Sequence, residues 1–254
     1  MQHSKKMSKG TALITGGAVR LGKVFCATLA NAGYNLAIHY NSSSAQAAAT
    51  AEEYRETGVN CETFQFDFSK NNDVRDLMAN VRKQFPDLNV LINSASVYDQ
   101  ATMMETPELM LERQFKVNFQ APYLLTQAFA QQCKTGNVIN IIDNKIAFNQ
   151  YQYSAYVLSK NTLAEFTRLA AVELAPDVRV NGIAPGVVLP ASVRSQDYID
   201  WRIEGIPLKQ QGQTDNIAQA LQYLLTNDFV CGQILFVDGG ESLTNTGQNF
   251  ANHE

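Results

Sequence analysis

Residues 11–22 read TALITGGAVRLG. An apolar, β-rich run ends in a glycine turn, and a segment of helical period, LGKVFCATLANA (21–32), follows at once. Strand, glycine turn and helix start, in that order, form a phosphate cradle. Glycine lets the backbone come close to a pyrophosphate, and the next helix offers free N–H groups and a positive dipole end. Gly16, Leu21 and Gly22 are the residues placed to face such a group. A short glycine stretch is a weak signal alone, and a plain βα turn is the alternative.

Working outward, six more runs read as strands: NLAIHY (35–40), CETFQF (61–66), NVLIN (89–93), NVINII (137–142), VRVNGIA (178–184) and QILFV (233–237). Between most of them lie helical patterns, among them SAQAAATAEEYRE (44–56), DVRDLMANVRKQ (73–84), and PELMLERQFKVN (107–118) running on into APYLLTQAFAQQ (121–132). Continuous apolar strands are buried on both faces, as in a parallel sheet. Alternation with helices then predicts an α/β fold with a doubly wound, seven-stranded parallel sheet covered by helices on both faces. No linker or repeat divides the chain, so residues 1–254 are expected to form one domain. Thr106 is expected to cap the helix opening with Pro107 and Glu108, and Thr214 the helix NIAQALQYLL. The irregular stretch 187–213, with Pro190, Trp201, Gly205 and Pro207, is expected to be a substrate lid.

Composition narrows the function classes. The 254 residues are 45% hydrophobic with a net charge of −4, which gives no electrostatic footprint for nucleic acid. The basic cluster SKKMSK (4–9) reads as a solvated tail. No apolar run is long enough to span a bilayer, and four scattered cysteines without a CxxC suit reduced thiols of a cytoplasmic protein. Three scattered histidines make a metal site unexpected.

The second strand speaks to the nucleotide. NAD-selective sites tend to carry an acid at its end for the ribose 2′-hydroxyl. Here the chain reads HYNSSSAQ, and no acid occurs from Asn35 to Ala51. His39, Tyr40, Asn41, Ser42 and Ser43 fall in cofactor range. Ser42, Ser43 and Ser44 have hydroxyls for a 2′-phosphate, although one serine can also cap the next helix. Arg20, where a third glycine is usual, adds a cation at the helix start, so NADPH is the expected cofactor. Asp67, ahead of Phe68 at the end of the third strand, is placed either for the adenine amine or to cap a helix starting near Lys70.

Tyr156 and Lys160 stand four residues apart within QYSAYVLSKNTLAEF (152–166), on one face of a helix. An ammonium beside a phenol is expected to lower its pKa. Asp143 closes the run NVINIID upstream.

With these motifs in order, the chain resembles the short-chain dehydrogenase/reductases over nearly all its length, which implies a single-domain Rossmann fold. The resemblance rests on TGG-AVRLG, Asp67, the NSAS turn at 93–96, Asn118, the Tyr156/Lys160 pair, the Pro185-Gly186 turn and VDGG at 237–240. Within that family it is most similar to the pteridine reductases, including the dihydromonapterin/dihydrofolate-reducing branch. Arg20 in the phosphate loop, HYNSSSAQA, NSASVY and Asp143 in place of the usual serine carry that likeness. Ser42 stands where such enzymes offer an arginine to the 2′-phosphate, Ser94 replaces the second Asn of the family's NNAS, and Tyr98 replaces a Phe.

The resemblance implies roles. Tyr156 is the proton donor, Lys160 holds the nicotinamide ribose, and Asn118 orders a water chain. Asn93, Ser94, Ala95, Ser96, Pro185, Gly186 and Val188 line the cofactor. Tyr98 and Tyr153 wall a flat pterin, with Ser96 beside the cofactor or the substrate. Together with the apolar faces of 107–133 and 152–175, the resemblance implies a homotetramer.

Asp143 discriminates between substrates. Carbonyl reduction builds negative charge on oxygen, which a carboxylate repels. A carboxylate suits ring nitrogens that carry or receive protons, so the expected reaction is NADPH-dependent reduction of a C=N bond in a dihydropteridine (dihydrobiopterin, dihydromonapterin or dihydrofolate). The alternatives are that Asp143 turns away to cap DNKIAF (143–148), that the protein is a carbonyl reductase of the 3-oxoacyl-thioester type, or that it is a non-catalytic nucleotide sensor.

Overall fold

A computed structural model describes residues 8–70, 73–189 and 195–244. Pro190 and the rest of 190–194 in the expected lid, and most of the basic N-terminal cluster, lie outside the described residues. Seven parallel strands, β1 (Thr11–Ile14), β2 (Asn35–Tyr40), β3 (Cys61–Gln65), β4 (Leu88–Asn93), β5 (Gly136–Ile141), β6 (Val178–Pro185) and β7 (Ile234–Val237), form one sheet in the order β3-β2-β1-β4-β5-β6-β7. The helices are α1 (Arg20–Asn31), α2 (Ser44–Glu56), α3 (Val74–Gln84), α4 (Glu108–Phe115), α5 (Ala121–Gln132), α6 (Ser154–Leu174), α7 (Gln196–Glu204) and α8 (Thr214–Thr226).

Alternation along each strand sorts the core into two layers. Ala12 and Ile14 of β1 pack with Phe25 and Leu29 of α1 and Leu221 of α8. Leu13 between them faces the other side, with Leu77 of α3 and Leu125 and Phe129 of α5. The chain steps from β1 outward to β2 and β3, then returns to place β4 on the other side of β1. Such a switch point opens a crevice at the carboxyl ends of the strands.

Three local expectations need correction. Pro107 and Gln213, not Thr106 and Thr214, occupy the N-cap positions of α4 and α8. Thr106 Oγ1 donates instead to the Thr102 carbonyl at 2.6 Å, and Gln213 forms a reciprocal capping box with Asn216. The helical stretch 107–132 is also interrupted by a π turn, Lys116–Gln120, which carries Asn118. Finally, Ser43 caps α2 with no side-chain bond, which leaves its hydroxyl unspent on the helix. Among the described residues no helix is long and apolar enough to cross a membrane, and no cluster of His, Cys, Asp and Glu could hold a metal.

Candidate active site

The crevice is a cleft of about 790 Å³. Gly16, Arg20, Leu21 and Gly22 line it at the glycine turn, and His39 through Ser43 with Asp67 and Phe68 line it after β2 and β3. Val19 caps α1 with no side-chain hydrogen bond, and no acid stands in the first turn, so the leading N–H groups are left to a ligand. Gly16 sits at φ 65°, in glycine's region. A Cβ on Gly22 would lie 2.0 Å from the Gly16 carbonyl oxygen and 2.8 Å from the Gly17 Cα. Those are backbone atoms that cannot step aside. Gly22→Ala is therefore expected to cost about 1–3 kcal/mol of stability in urea unfolding and to weaken dinucleotide binding. This cradle fits a pyrophosphate.

His39 lines the cleft and also holds the glycine turn. Its Nδ1 accepts the Gly16 N–H at 3.1 Å, so Nε2 carries the proton and faces the Phe66 carbonyl at 3.0 Å. Burial lowers its pKa to about 4, and its ring stacks on Phe68 with centroids 4.4 Å apart. Both ring nitrogens are committed to the protein, and the imidazole pins the glycine turn to the residue after β3. Thr15 pins the other side: its Oγ1 accepts from the Ser94 and Ala95 N–H groups at 2.9 and 3.0 Å. Asp67 caps no helix; α3 is capped by Asp73. The Asp67 carboxylate accepts from the Ser69 hydroxyl and N–H, and that hydroxyl bond is the main cause holding it below the usual range.

Arg20 has φ 51°, a left-handed conformation that costs a non-glycine residue about 1 kcal/mol. Its guanidinium donates to the Leu189 carbonyl, tying the phosphate turn to the start of the 187–213 segment.

At the other end of the cleft, Asp143 lies between β5 and α6. Its Oδ1 accepts the Lys145 N–H at 2.9 Å, and its Oδ2 accepts the Tyr156 hydroxyl at 2.7 Å. One oxygen thus caps the turn 143–148, and the other meets the Tyr156 hydroxyl. Lys160 is 2% exposed, and its Nζ donates to the Ile141 carbonyl at 2.9 Å. Burial lowers its pKa to about 8, against the opposing pull of Asp143. The phenol behaves contrary to expectation. Burial first, then the Asp143 carboxylate, push Tyr156 well above the ordinary tyrosine range, so it is held protonated. The Lys160 ammonium lies 5.9 Å from the Tyr156 ring centroid, whereas the acid touches the hydroxyl, and the nearer charge wins.

Ser94, Ala95, Ser96 and Tyr98 follow β4 along one wall, and Pro185, Gly186 and Val188 follow β6 along the opposite one. Three expected site residues are elsewhere. Asn93 is 2% exposed and donates to Asn140 at 2.8 Å, because the β4–β5 register sets these two side by side in the core. Asn118 is fully buried, and its amide is spent within the protein. It accepts from Ser96 Oγ and the Val97 N–H and donates toward the Val97 carbonyl, Gln114 and Ser159. It therefore positions the Ser96–Val97 turn. Tyr153 is 1% exposed beneath Tyr98, with ring centroids 4.8 Å apart and 11° between planes. Of these two tyrosines it is Tyr98, 45% exposed and edge-on to Tyr156, that lines the cleft.

The sequence reading passed over Lys145, Asn144, Glu241 and Arg202. Glu241, 1% exposed, accepts from Asn144 Nδ2 at 2.8 Å and Arg202 Nη2 at 2.9 Å. It thereby ties the turn after Asp143 to α7. The only available signal was a lysine two residues beyond the key acid.

A family model for short chain dehydrogenases matches residues 10–198. Curated relatives include the 3-oxoacyl-acyl-carrier-protein reductase of Staphylococcus epidermidis, 29% identical over 238 residues, spanning 91% of this chain and 98% of that protein. An uncharacterised oxidoreductase of Mycobacterium tuberculosis is 31% identical over 250 residues, spanning 94% and 95%. Among solved structures, the FolM alternative dihydrofolate reductase 1 of Brucella suis, in complex with NADP, superimposes with a TM-score of 0.88 at 30% identity over 93% of this chain and 96% of that one. The Brucella canis protein of the same name, also complexed with NADP, has the same score and identity over 96% and 98%. Because the family match runs from the residue before β1 into α7, well over half of the chain, this chain belongs to the short-chain dehydrogenase family.

Proposed function

We propose that the protein reduces a C=N bond of a dihydropteridine, of the dihydrobiopterin, dihydromonapterin or dihydrofolate type. The cofactor is NADP(H): solved relatives at 30% identity are complexed with NADP, and no acid stands at the end of β2. When bound, NADPH supplies the hydride. The residues of this chain supply the rest. The N–H groups at the start of α1 and the Gly16 turn bind the pyrophosphate. Lys160, buried beside Tyr156, holds the ribose. Tyr156 keeps its proton at Oη, directed at Asp143. Tyr98 offers the face on which a flat heterocycle stacks.

One observation carries the choice of substrate: the Asp143 carboxylate accepts from the Tyr156 hydroxyl at 2.7 Å. An oxyanion developing beside that carboxylate would be repelled, whereas a ring nitrogen that gains a proton would be attracted. Identity does not separate the readings, because the 3-oxoacyl reductase at 29% and the dihydrofolate reductases at 30% are equally near. The Tyr156/Lys160 pair and the first of these relatives support carbonyl reduction as the second reading. NADPH oxidation measured over a panel of dihydropterins, dihydrofolate and a 3-oxoacyl thioester tests the choice. Turnover of the heterocycles and not of the thioester is expected; the reverse pattern establishes a carbonyl reductase. Tight NADPH binding with no turnover of either class establishes a sensor.

Arg20 is assigned to the 2′-phosphate, since this cation lines the cleft together with Ser42 and Ser43. Arg20→Ala is expected to weaken NADPH binding on the order of tenfold, equivalent to about 1.4 kcal/mol, and NADH binding much less. Equal losses in fluorescence titrations would dispose of the contact. Leu109, Leu158, Leu169 and Val172, exposed on α4 and α6, support a homotetramer, which sedimentation equilibrium tests.

A further inference from the structure

Lys145 is a buried cation that the proposed reaction does not use. It is 7% exposed, yet it lines the cleft. Among the described residues its Nζ makes a single hydrogen bond, to Gln150 Oε1 at 2.6 Å, out of three N–H donors. Among the described residues no carboxylate comes within ion-pair distance of it; Asp143 and Glu241 act on it only through space. The Tyr153 and Tyr98 rings lie 5.2 and 6.0 Å from Nζ and stabilise the ammonium weakly. A buried ammonium with one neutral acceptor is costly, and such groups are ordinarily paired. Burial lowers its pKa to about 8, which leaves it mostly charged at neutral pH.

Position indicates what the missing partner is. Tyr156 meets Tyr98 edge-on at 4.6 Å, Tyr98 stacks on Tyr153, and Lys145 stands over that pair. Nζ thus approaches this stack from nearer the Tyr153 ring, with Tyr98 touching both Tyr153 and Tyr156. A group bound there belongs to a substituent of the heterocycle and not to the bond being reduced. Arg202 lines the same region, and its Nε is buried without a partner among the described residues.

Resting on the pteridine reading, we propose that Lys145 forms an anion subsite, so that the preferred substrate carries a carboxylate or phosphate on the side chain of its pterin ring. The test is calorimetric titration of the protein–NADP complex with three ligands: 6-hydroxymethylpterin, its phosphate ester, and pterin-6-carboxylate. At least one anionic ligand is expected to bind tenfold or more tighter than the neutral one, and which of the two does so identifies the group. Lys145→Gln is expected to erase that ratio and Lys145→Arg to restore most of it, with thermal melting confirming that both variants fold. Equal affinity for all three ligands, or a ratio unchanged in Lys145→Gln, overturns the subsite while leaving the pteridine reading intact. Failure of all three pterins to bind overturns both.

Discussion

Tyr156→Phe is expected to lower dihydropterin turnover at least a hundredfold, equivalent to about 2.7 kcal/mol or more of transition-state stabilisation. The hydroxyl is the one proton-bearing group directed at Asp143 from α6, and burial with the neighbouring carboxylate keeps that proton in place. Phenylalanine fills the same space, so thermal melting should change little. The loss should appear in kcat with dinucleotide affinity preserved. A variant retaining more than a tenth of wild-type turnover would remove Tyr156 from the chemistry.

Asp143→Ser separates the substrate classes. Serine can still cap the turn after β5 as Asp143 Oδ1 does, so the local backbone is expected to hold. The carboxylate is lost from the Tyr156 hydroxyl, and the phenol pKa falls back toward its ordinary range. Dihydropterin turnover is expected to drop at least tenfold, about 1.4 kcal/mol or more. A hydroxyl that donates to a developing oxyanion replaces a charge that repels it, so reduction of a 3-oxoacyl thioester should rise in the same variant. Unchanged dihydropterin turnover in steady-state assays would refute the role given to Asp143.

Much of the fold was legible because local signals agreed. Most strands are short apolar runs, and residues that read as apolar, such as Leu13 and Ile14, divide between the two core layers by simple alternation. The phosphate turn was legible for a similar reason: strand, glycines and helix start are contiguous in the chain. What could not be read depends on residues far apart. Asn93 is turned away from the cleft by a strand register that brings it against Asn140. Tyr153 is buried by a stack with Tyr98, reached across a bridge between Ala101 and Tyr153. The spacing of Tyr156 and Lys160 correctly predicted a shared helix face, but the phenol's protonation follows from Asp143, whose direction no spacing reveals. Lys145 and Glu241 were missed because a charged residue becomes informative only once its burial is known.

The most direct measurement is a crystal structure of the protein with NADP and a dihydropterin, in which the distance from the nearest Asp143 carboxylate oxygen to the ring nitrogens is read. A nitrogen within hydrogen-bond range, about 2.6–3.2 Å, with the ring against Tyr98, is the predicted result. A heterocycle bound with every nitrogen out of reach of Asp143, and that acid still engaged only with Tyr156 and the Lys145 N–H, would contradict the account.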